Sequence, residues 1–402
     1  MSTGAEVGGA EGAIPDLLIR GGTVLDPASG FEGPADVAIS DGRITAIAPD
    51  LAARGGEVFD ARGMLVTPGL VDLHVHAYHD VNIYGFDVDP ICLASGVTTA
   101  VDAGSSGPVN FPGFRRFVAA ETVTRLLAFV CIAQNGVTRG EMFDLSYADV
   151  EGAAGAVLDH PEVGIGIKVR LARSCVGEDA SHAREVLRLA IAAGEAARAP
   201  LMIHIGETPI SLEEIVDTLR PGDIVTHCYT PQEEGALDAV GRVRASLLRG
   251  KARGVRFDVG HASGHMSFDV VRRCLAEGLA PDTISTDLHL RNFLGDFIVD
   301  LPMTVTKFLA LGMPLGDAIA AVTSRAAATI GREDLGRLEV GGIADVAVLD
   351  LVDGPLRLRD STGAELRHDH ALRARATVRA GVLHRVDPRG SGAGDAEERT
   401  TA

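Results

Sequence analysis

Eight short apolar runs, each followed by a stretch with helical spacing, restrict the possible folds more than any other feature of this chain. The runs are LVDLHVHA (70–77), VTTAVDA (97–103), LLAFVCIA (126–133), GIGIKVR (164–170), LMIHIG (201–206), IVTHC (224–228), VRFDVG (255–260) and TISTD (283–287). Runs this short and this apolar read as strands buried on both faces, which is the condition of a parallel sheet covered by helices. One connecting segment shows the complementary pattern: Ala183, Val186, Leu187, Ala190 and Ile191 share a helical stripe, with Ser181 near its start as a candidate N-cap. Eight strand–helix units predict a (β/α)8 TIM barrel. A doubly wound open sheet is the competing architecture, but its glycine-rich phosphate loop is missing after the first run.

The two ends of the chain have a different texture. Residues 17–49 alternate β-formers with Gly and Asp turns, and residues 336–386 return to that style in GRLEVGGIADVAVLD and RATVRAGVLHRV. The expected organisation is therefore an α/β chain with a small β-sandwich made from both termini (16–66 and 336–386), a barrel between them (67–335), and a disordered tail at 387–402.

Charge and composition narrow the partners. A net charge of −18 opposes binding to phosphate backbones and anionic lipid, so neither nucleic acid nor a membrane is expected. MSTGAEVGGAEGAIPD lacks the basic start and apolar run of a secretory signal, and no stretch approaches the roughly 20 apolar residues of a membrane span. Cys92, Cys131, Cys175, Cys228 and Cys274 are odd in number, widely spaced and in apolar surroundings, which predicts reduced thiols and a cytoplasmic location.

Chemistry concentrates at the ends of the runs. Strand alternation predicts Asp72, His74 and His76 on one face of the first run, with Val71, Leu73 and Val75 packed under the helices. On the fourth run Gly164, Gly166 and Lys168 oppose Val163, Ile165, Ile167 and Val169, so Lys168 points into the barrel. A buried ammonium needs compensation. Either an acidic partner forms an ion pair with it, or its pKa falls far enough for the neutral amine to take up CO₂ as a carbamate. His204 and His227 lie at the ends of the fifth and sixth runs, and Asp287 at the end of the eighth. Each alone reads as readily as a rim residue or a helix cap. As a set, these nitrogen and oxygen donors suit Zn²⁺, with Mn²⁺, Co²⁺ or Fe²⁺ as substitutes. His368 and His370 repeat the spacing of the first pair but are flanked by polar residues and read as surface groups, whereas His79, His265 and His289 fall nearer the rim.

The motifs TPGLVDLHVHAY (67–78), SGVTT (95–99), GIKVR (166–170), MIHIGE (202–207), VTHC (225–228), STDLH (285–289), VTSRAA (322–327) and GRLEVGGIADVAVLD (336–350) together resemble the binuclear amidohydrolases, in particular the dihydroorotase-like amidohydrolase/deacetylase branch. The resemblance runs from residue 17 to residue 386. It implies His74, His76 and Asp287 on one divalent ion and His204 and His227 on the other, with carboxylated Lys168 bridging them. It also implies hydrolysis of an amide or ester bond by a metal-bridging hydroxide, with Asp287 taking and passing the proton.

Substrate preference is carried by fewer residues. Dihydroorotases follow their histidine pair with an arginine that grips the substrate carboxylate, and here Tyr78 stands in that place. Arg170, two residues beyond Lys168, and His261 after the seventh run are the other candidate substrate-binding residues; for Arg170 a salt bridge at the rim is an equal alternative. The branch implies a small acylated substrate, an N-acyl or O-acyl carboxylate such as an acetyl ester of a 2-hydroxy acid. A cyclic-amide hydrolase is the alternative. An inactive scaffold would have shed ligands that this chain keeps, and a mononuclear deaminase would have no use for Lys168. The resemblance also suggests a homo-oligomer.

Overall fold

The computed structural model describes residues 15–53, 55–293 and 300–387. The stretch read for a secretory signal and the tail expected at 387–402 therefore lie almost wholly outside the described residues.

The chain begins with β1 (Leu17–Asp26), β2 (Phe31–Ser40), β3 (Arg43–Ala48), β4 (Glu57–Asp60) and β5 (Leu65–Pro68). Seven more strands follow: β6 (Leu70–Val75), β7 (Val97–Ala103), β8 (Arg125–Cys131), β9 (Gly164–Arg170), β10 (Leu201–His204), β11 (Ile224–Thr226) and β12 (Arg256–Phe257). The last three are β13 (Val346–Arg359), β14 (Glu365–Arg379) and β15 (Val382–Arg385). Strands β6 to β12 form one parallel sheet in sequence order. The remaining eight form a second, mostly antiparallel sheet that joins both ends of the chain in the order β15-β14-β13-β5-β1-β2-β3, with β4 beside β1. Its strands share a single apolar core that includes Leu17, Ile19, Val37, Ile44, Val66, Val346 and Val378. No described helix is long and apolar enough to cross a membrane.

Every residue of β6 and β7 is buried, as continuous apolar runs in a covered parallel sheet must be. The helix Ala180–Ala197 buries Ala183, Val186, Leu187 and Ala190 in the same core as Ile167, Val169, Leu201 and Ile203. Its N-cap is Asp179 and not Ser181: the Asp179 carboxylate accepts the Ser181 N–H at 2.7 Å, so the helix starts earlier than the hydroxyl suggested.

Two expectations change in the parallel sheet. Val71 and Leu73 pack with Leu127, Phe129, Met202 and Ile224 and with Ala326 of the helix Ser324–Thr329, in a cluster separate from the one that holds Leu70 and Val75. Pairing with β7 shifts between Asp72 and Val75, so simple alternation does not run through β6. Asp72 accordingly accepts bonds from the Thr286 hydroxyl (2.6 Å) and N–H (3.1 Å) and from the His74 backbone N–H (3.3 Å), and is not among the carboxylates that meet the imidazole rings. The eighth run makes isolated parallel bridges in place of a regular strand: Thr283 to Asp258 beside β12, and Leu288 to Val75 of β6. Its side chains are the reason, because Thr283 and Ser285 donate to Asp258 while Thr286 donates to Asp72, and Asp287 turns left-handed at φ +49°.

The two sheets are joined by buried polar contacts. The Thr377 hydroxyl on β14 donates to the Leu93 carbonyl at 2.7 Å and accepts the Gly96 N–H at 3.0 Å. Arg125 of β8 pairs with Asp345, just before β13. Thr377→Val keeps the shape and strands both backbone groups, so the folded state should lose about 1–3 kcal/mol. Chemical denaturation checks this, and an unchanged midpoint would mean that the contact does not hold the sheets together.

Candidate metal centre at the strand ends

The left-handed turns and hydrogen bonds that follow the parallel strands bring six candidate ligands into two groups. His74, His76 and Asp287 place ligand atoms within 4.8 Å of one another, and so do His204, His227 and His265. Asp287 links them: its Oδ1 is 3.3 Å from Nε2 of both His74 and His76, and its Oδ2 is 3.8 Å from Nε2 of His227. Asp287 and His227 both hold positive φ, +49° and +69°, a conformation that costs about 1–3 kcal/mol and persists where the surroundings enforce it.

The far side of each ring settles which nitrogen faces inward. His227 Nδ1 is 2.7 Å from the Gly260 carbonyl, which can only accept, so Nδ1 carries the proton and Nε2 presents a lone pair. His74 Nδ1 lies 2.9 Å from the Thr226 hydroxyl, which itself donates to Asp258 Oδ2 at 2.8 Å; Nδ1 again is the donor. His76 Nδ1 contacts the Ser105 hydroxyl at 2.8 Å, and Ser105 N–H is held by Asp102 at 2.7 Å. Burial pushes the His74, His204 and His227 pKa values well below the usual imidazole range, and His265 down to about 4, so these rings are neutral near pH 7. Lone pairs on neutral imidazoles then face a carboxylate with no proton between them. Asp287 Oδ1, His227 Nε2 and His265 Nδ1 are all buried without a hydrogen-bond partner. A cation satisfies such a donor set, and nitrogen with carboxylate oxygen is the set that zinc and its neighbours accept.

Lys168 is fully buried among these groups. Its Nζ lies 3.5 Å from His74 Nε2 and 3.5 Å from Met202 Sδ, and among the described residues it forms no ion pair. Burial pulls its pKa down to about 8, so a neutral amine is accessible near physiological pH. Gly104, at φ +89°, makes the room, since a Cβ there would sit 2.7 Å from Lys168 Cγ. Gly260 does the same for His227, whose Nδ1 would be 2.7 Å from an added Cβ.

Of the candidate substrate residues, Tyr78 and His261 are placed differently from expectation, and Arg170 forms the salt bridge that was its alternative. Tyr78 is buried away from the histidines, its ring edge-on to Phe114 and its hydroxyl donating to the Asn110 carbonyl. The chain turns back after it, with Asn82 N–H bonded to the Tyr78 carbonyl, and delivers Tyr84 instead, whose ring lies 5.7 Å from His76 and 5.4 Å from His289. His261 is fully buried, with Nδ1 on the Ala262 carbonyl and Nε2 2.8 Å from Lys307 Nζ; its loop presents His265 in its place. Arg170 forms a bidentate pair with Glu141 at 2.6 and 2.8 Å. Asp258, which orders Thr226, Thr283 and Ser285 behind His74, was missed by the sequence reading; its place in an otherwise apolar run was the available signal. His79 pairs with Asp80 in an exposed turn, and His370 with Asp353 on the terminal sheet.

Residues 65–378 match the amidohydrolase family. A deacetylase of Agrobacterium fabrum is 34% identical over 329 residues, covering 80% of each chain. A crystal structure of an adenine deaminase superimposes with a TM-score of 0.86 at 30% identity, covering 92% of this chain and 100% of the other. One of a dihydroorotase does so with a TM-score of 0.83 at 30% identity, covering 92% and 99%. The match spans the parallel sheet, the ligand-bearing strand ends and most of the returning sheet: the chain belongs to the amidohydrolase family and is a hydrolytic enzyme.

Proposed function

We propose that this enzyme removes an acetyl group, held as an amide or an ester, from a small carboxylate, using two divalent ions, Zn²⁺ in the first instance. The convergence of unprotonated imidazole nitrogens on Asp287 carries the metal part of the reading. The deacetylase relative supports the acyl group. His74, His76 and Asp287 would hold one ion, and His204 and His227 the other, with His265 close enough to His227 to join it. Lys168 as its carbamate would supply a further carboxylate ligand; its burial, its lowered pKa and the lack of a described ion-pair partner support that role over a simple buried ammonium. The bridges at Thr283 and Leu288 support closure of the seven parallel strands into a (β/α)8 barrel, with the terminal sheet as the accompanying sandwich.

When bound, the ions supply Lewis acidity, polarising the scissile carbonyl and lowering the pKa of water. The protein's own part is positional and protonic. Asp258, through Thr226, holds the proton of His74 on Nδ1 and keeps Nε2 aimed inward. Ser105 positions His76 through its hydroxyl on Nδ1, and Asp102 holds Ser105 by its backbone N–H. Asp287, facing all three imidazoles, accepts the proton of the attacking water and returns it to the leaving nitrogen or oxygen. Tyr84 walls the outer side of His76. Hydrolysis of a cyclic amide is the second reading, favoured by the dihydroorotase structure.

Three outcomes test this. Zn²⁺-loaded protein supplied with bicarbonate should hydrolyse N-acetyl or O-acetyl carboxylates and leave dihydroorotate and hydantoins untouched, and Lys168→Ala should abolish turnover; the reverse preference would move the enzyme to cyclic amides. Asp287→Asn should slow turnover by about 10²–10⁴-fold while retaining most of the metal measured by elemental analysis, and equal losses of metal and activity would remove its proton-transfer role. Asp258→Asn should weaken metal binding by about 10- to 100-fold, read by chelator competition, whereas unaltered affinity would leave the hydroxyl network without a function at the centre.

A further inference from the structure

A cavity of about 420 Å³ is joined to the candidate metal centre through Tyr84, and the two arginines in its wall differ in their electrostatic state. Tyr84 is the shared wall. Its ring packs against His76 on one side and lies 5.7 Å from the Arg170 guanidinium on another. Arg170 already has its counter-ion, because Glu141 takes Nε and Nη2 while the Thr138 carbonyl accepts from Nη2 as well. Its charge is thereby offset and its Nε–Nη2 edge is taken, so a second carboxylate meets only Nη1 and finds no second fork.

Arg139 lies in the same wall, and its guanidinium is exposed, with no hydrogen bond or ion pair among the described residues. Its backbone is held from both sides. The Thr138 carbonyl is bonded by Arg170, and the Gly140 N–H donates to the Ser174 carbonyl at 3.1 Å. Gly140 takes φ +64°, and a Cβ there would sit 2.7 Å from the Phe143 ring, so the turn is packed as well as bonded. The buried Glu141–Arg170 pair is thus a support, and Arg139 is the positive charge that the support presents. Phe143, 59% exposed, lines the same space and lowers the local dielectric beside that charge. The whole molecule carries −18, so a small anion is repelled at long range and needs a local cation in order to dwell at the mouth of the site.

We propose that Arg139, and not Arg170, is the specificity-determining residue that receives the carboxylate of the acylated substrate. This rests on the acyl-hydrolase reading above. The test compares N-acetylalanine with N-acetylalaninamide, which has the same shape without the charge. Binding is read by calorimetric titration of the zinc-loaded protein in an Asp287→Asn background that slows turnover, and hydrolysis is read with Asp287 intact. The acid should bind at least about tenfold more tightly than the amide. Arg139→Gln should bring that ratio close to one, and Arg139→Lys, which keeps the charge and loses the fork, should keep part of it. An acid preference undiminished in Arg139→Gln, or no preference in the parent protein, overturns the proposal. Arg139-dependent binding of the acid without hydrolysis of either compound supports the arginine's role and overturns the deacetylase reading instead.

Discussion

Neutral imidazoles whose lone pairs face a carboxylate are unstable neighbours unless positive charge lies between them. His74 and His227 are fixed in that state because Thr226 and Gly260 accept their Nδ1 protons, leaving Nε2 toward Asp287. Much of the surrounding structure serves that arrangement. Gly104 and Gly260 clear space that any side chain would fill, and His227 and Asp287 accept left-handed backbone to reach their places. Beneath them Asp258 gathers three hydroxyl donors, which satisfy a fully buried carboxylate.

The same economy governs the rim. A carboxylate and a guanidinium, Glu141 and Arg170, are buried together and so secure a loop rather than a ligand. What the loop displays is Arg139, which has no counter-ion among the described residues. Lys307 and His261 form a comparable internal contact behind the loop that carries His265. In both places a charged side chain close to the centre acts as scaffolding, and the residue with chemical freedom is a neighbour in sequence. The terminal sheet contributes at longer range, with Thr377 and Asp345 fastening it to the parallel sheet through bonds that have no exposed alternative.

Much of this was legible in the residues. Short runs that are apolar at nearly every position identify strands covered on both sides, and seven of the eight runs are regular parallel strands. His74, His76, Lys168, His204, His227 and Asp287 stand near the ends of those runs, and strand ends in such a fold point to one rim. The texture of the two termini identified a shared sheet although nearly 280 residues separate β5 from β13. These features are local: they depend on which side chains follow each other, and hydrophobic burial acts on them in any tertiary setting.

Other features were decided only by the fold. The pairing shift in β6 accompanies the division of Val71 and Leu73 from Val75 into separate clusters, and a shift arises from the partner strand, which no run of six residues encodes. The eighth run has a strand's composition, yet its hydroxyls bond to Asp258 and Asp72, which lie far away in sequence. Tyr78 and Tyr84 are equivalent by type, and a reverse turn selects the second. Arg170 is a candidate by charge, and only the position of Glu141 shows that its charge is already offset. The sequence alone determined the strand rhythm, the shared terminal sheet and the set of donor side chains, because these follow from nearest neighbours and burial. Tertiary structure decided tautomers, backbone handedness and which charges stay unpaired, because each of those is set by a partner brought in from another strand.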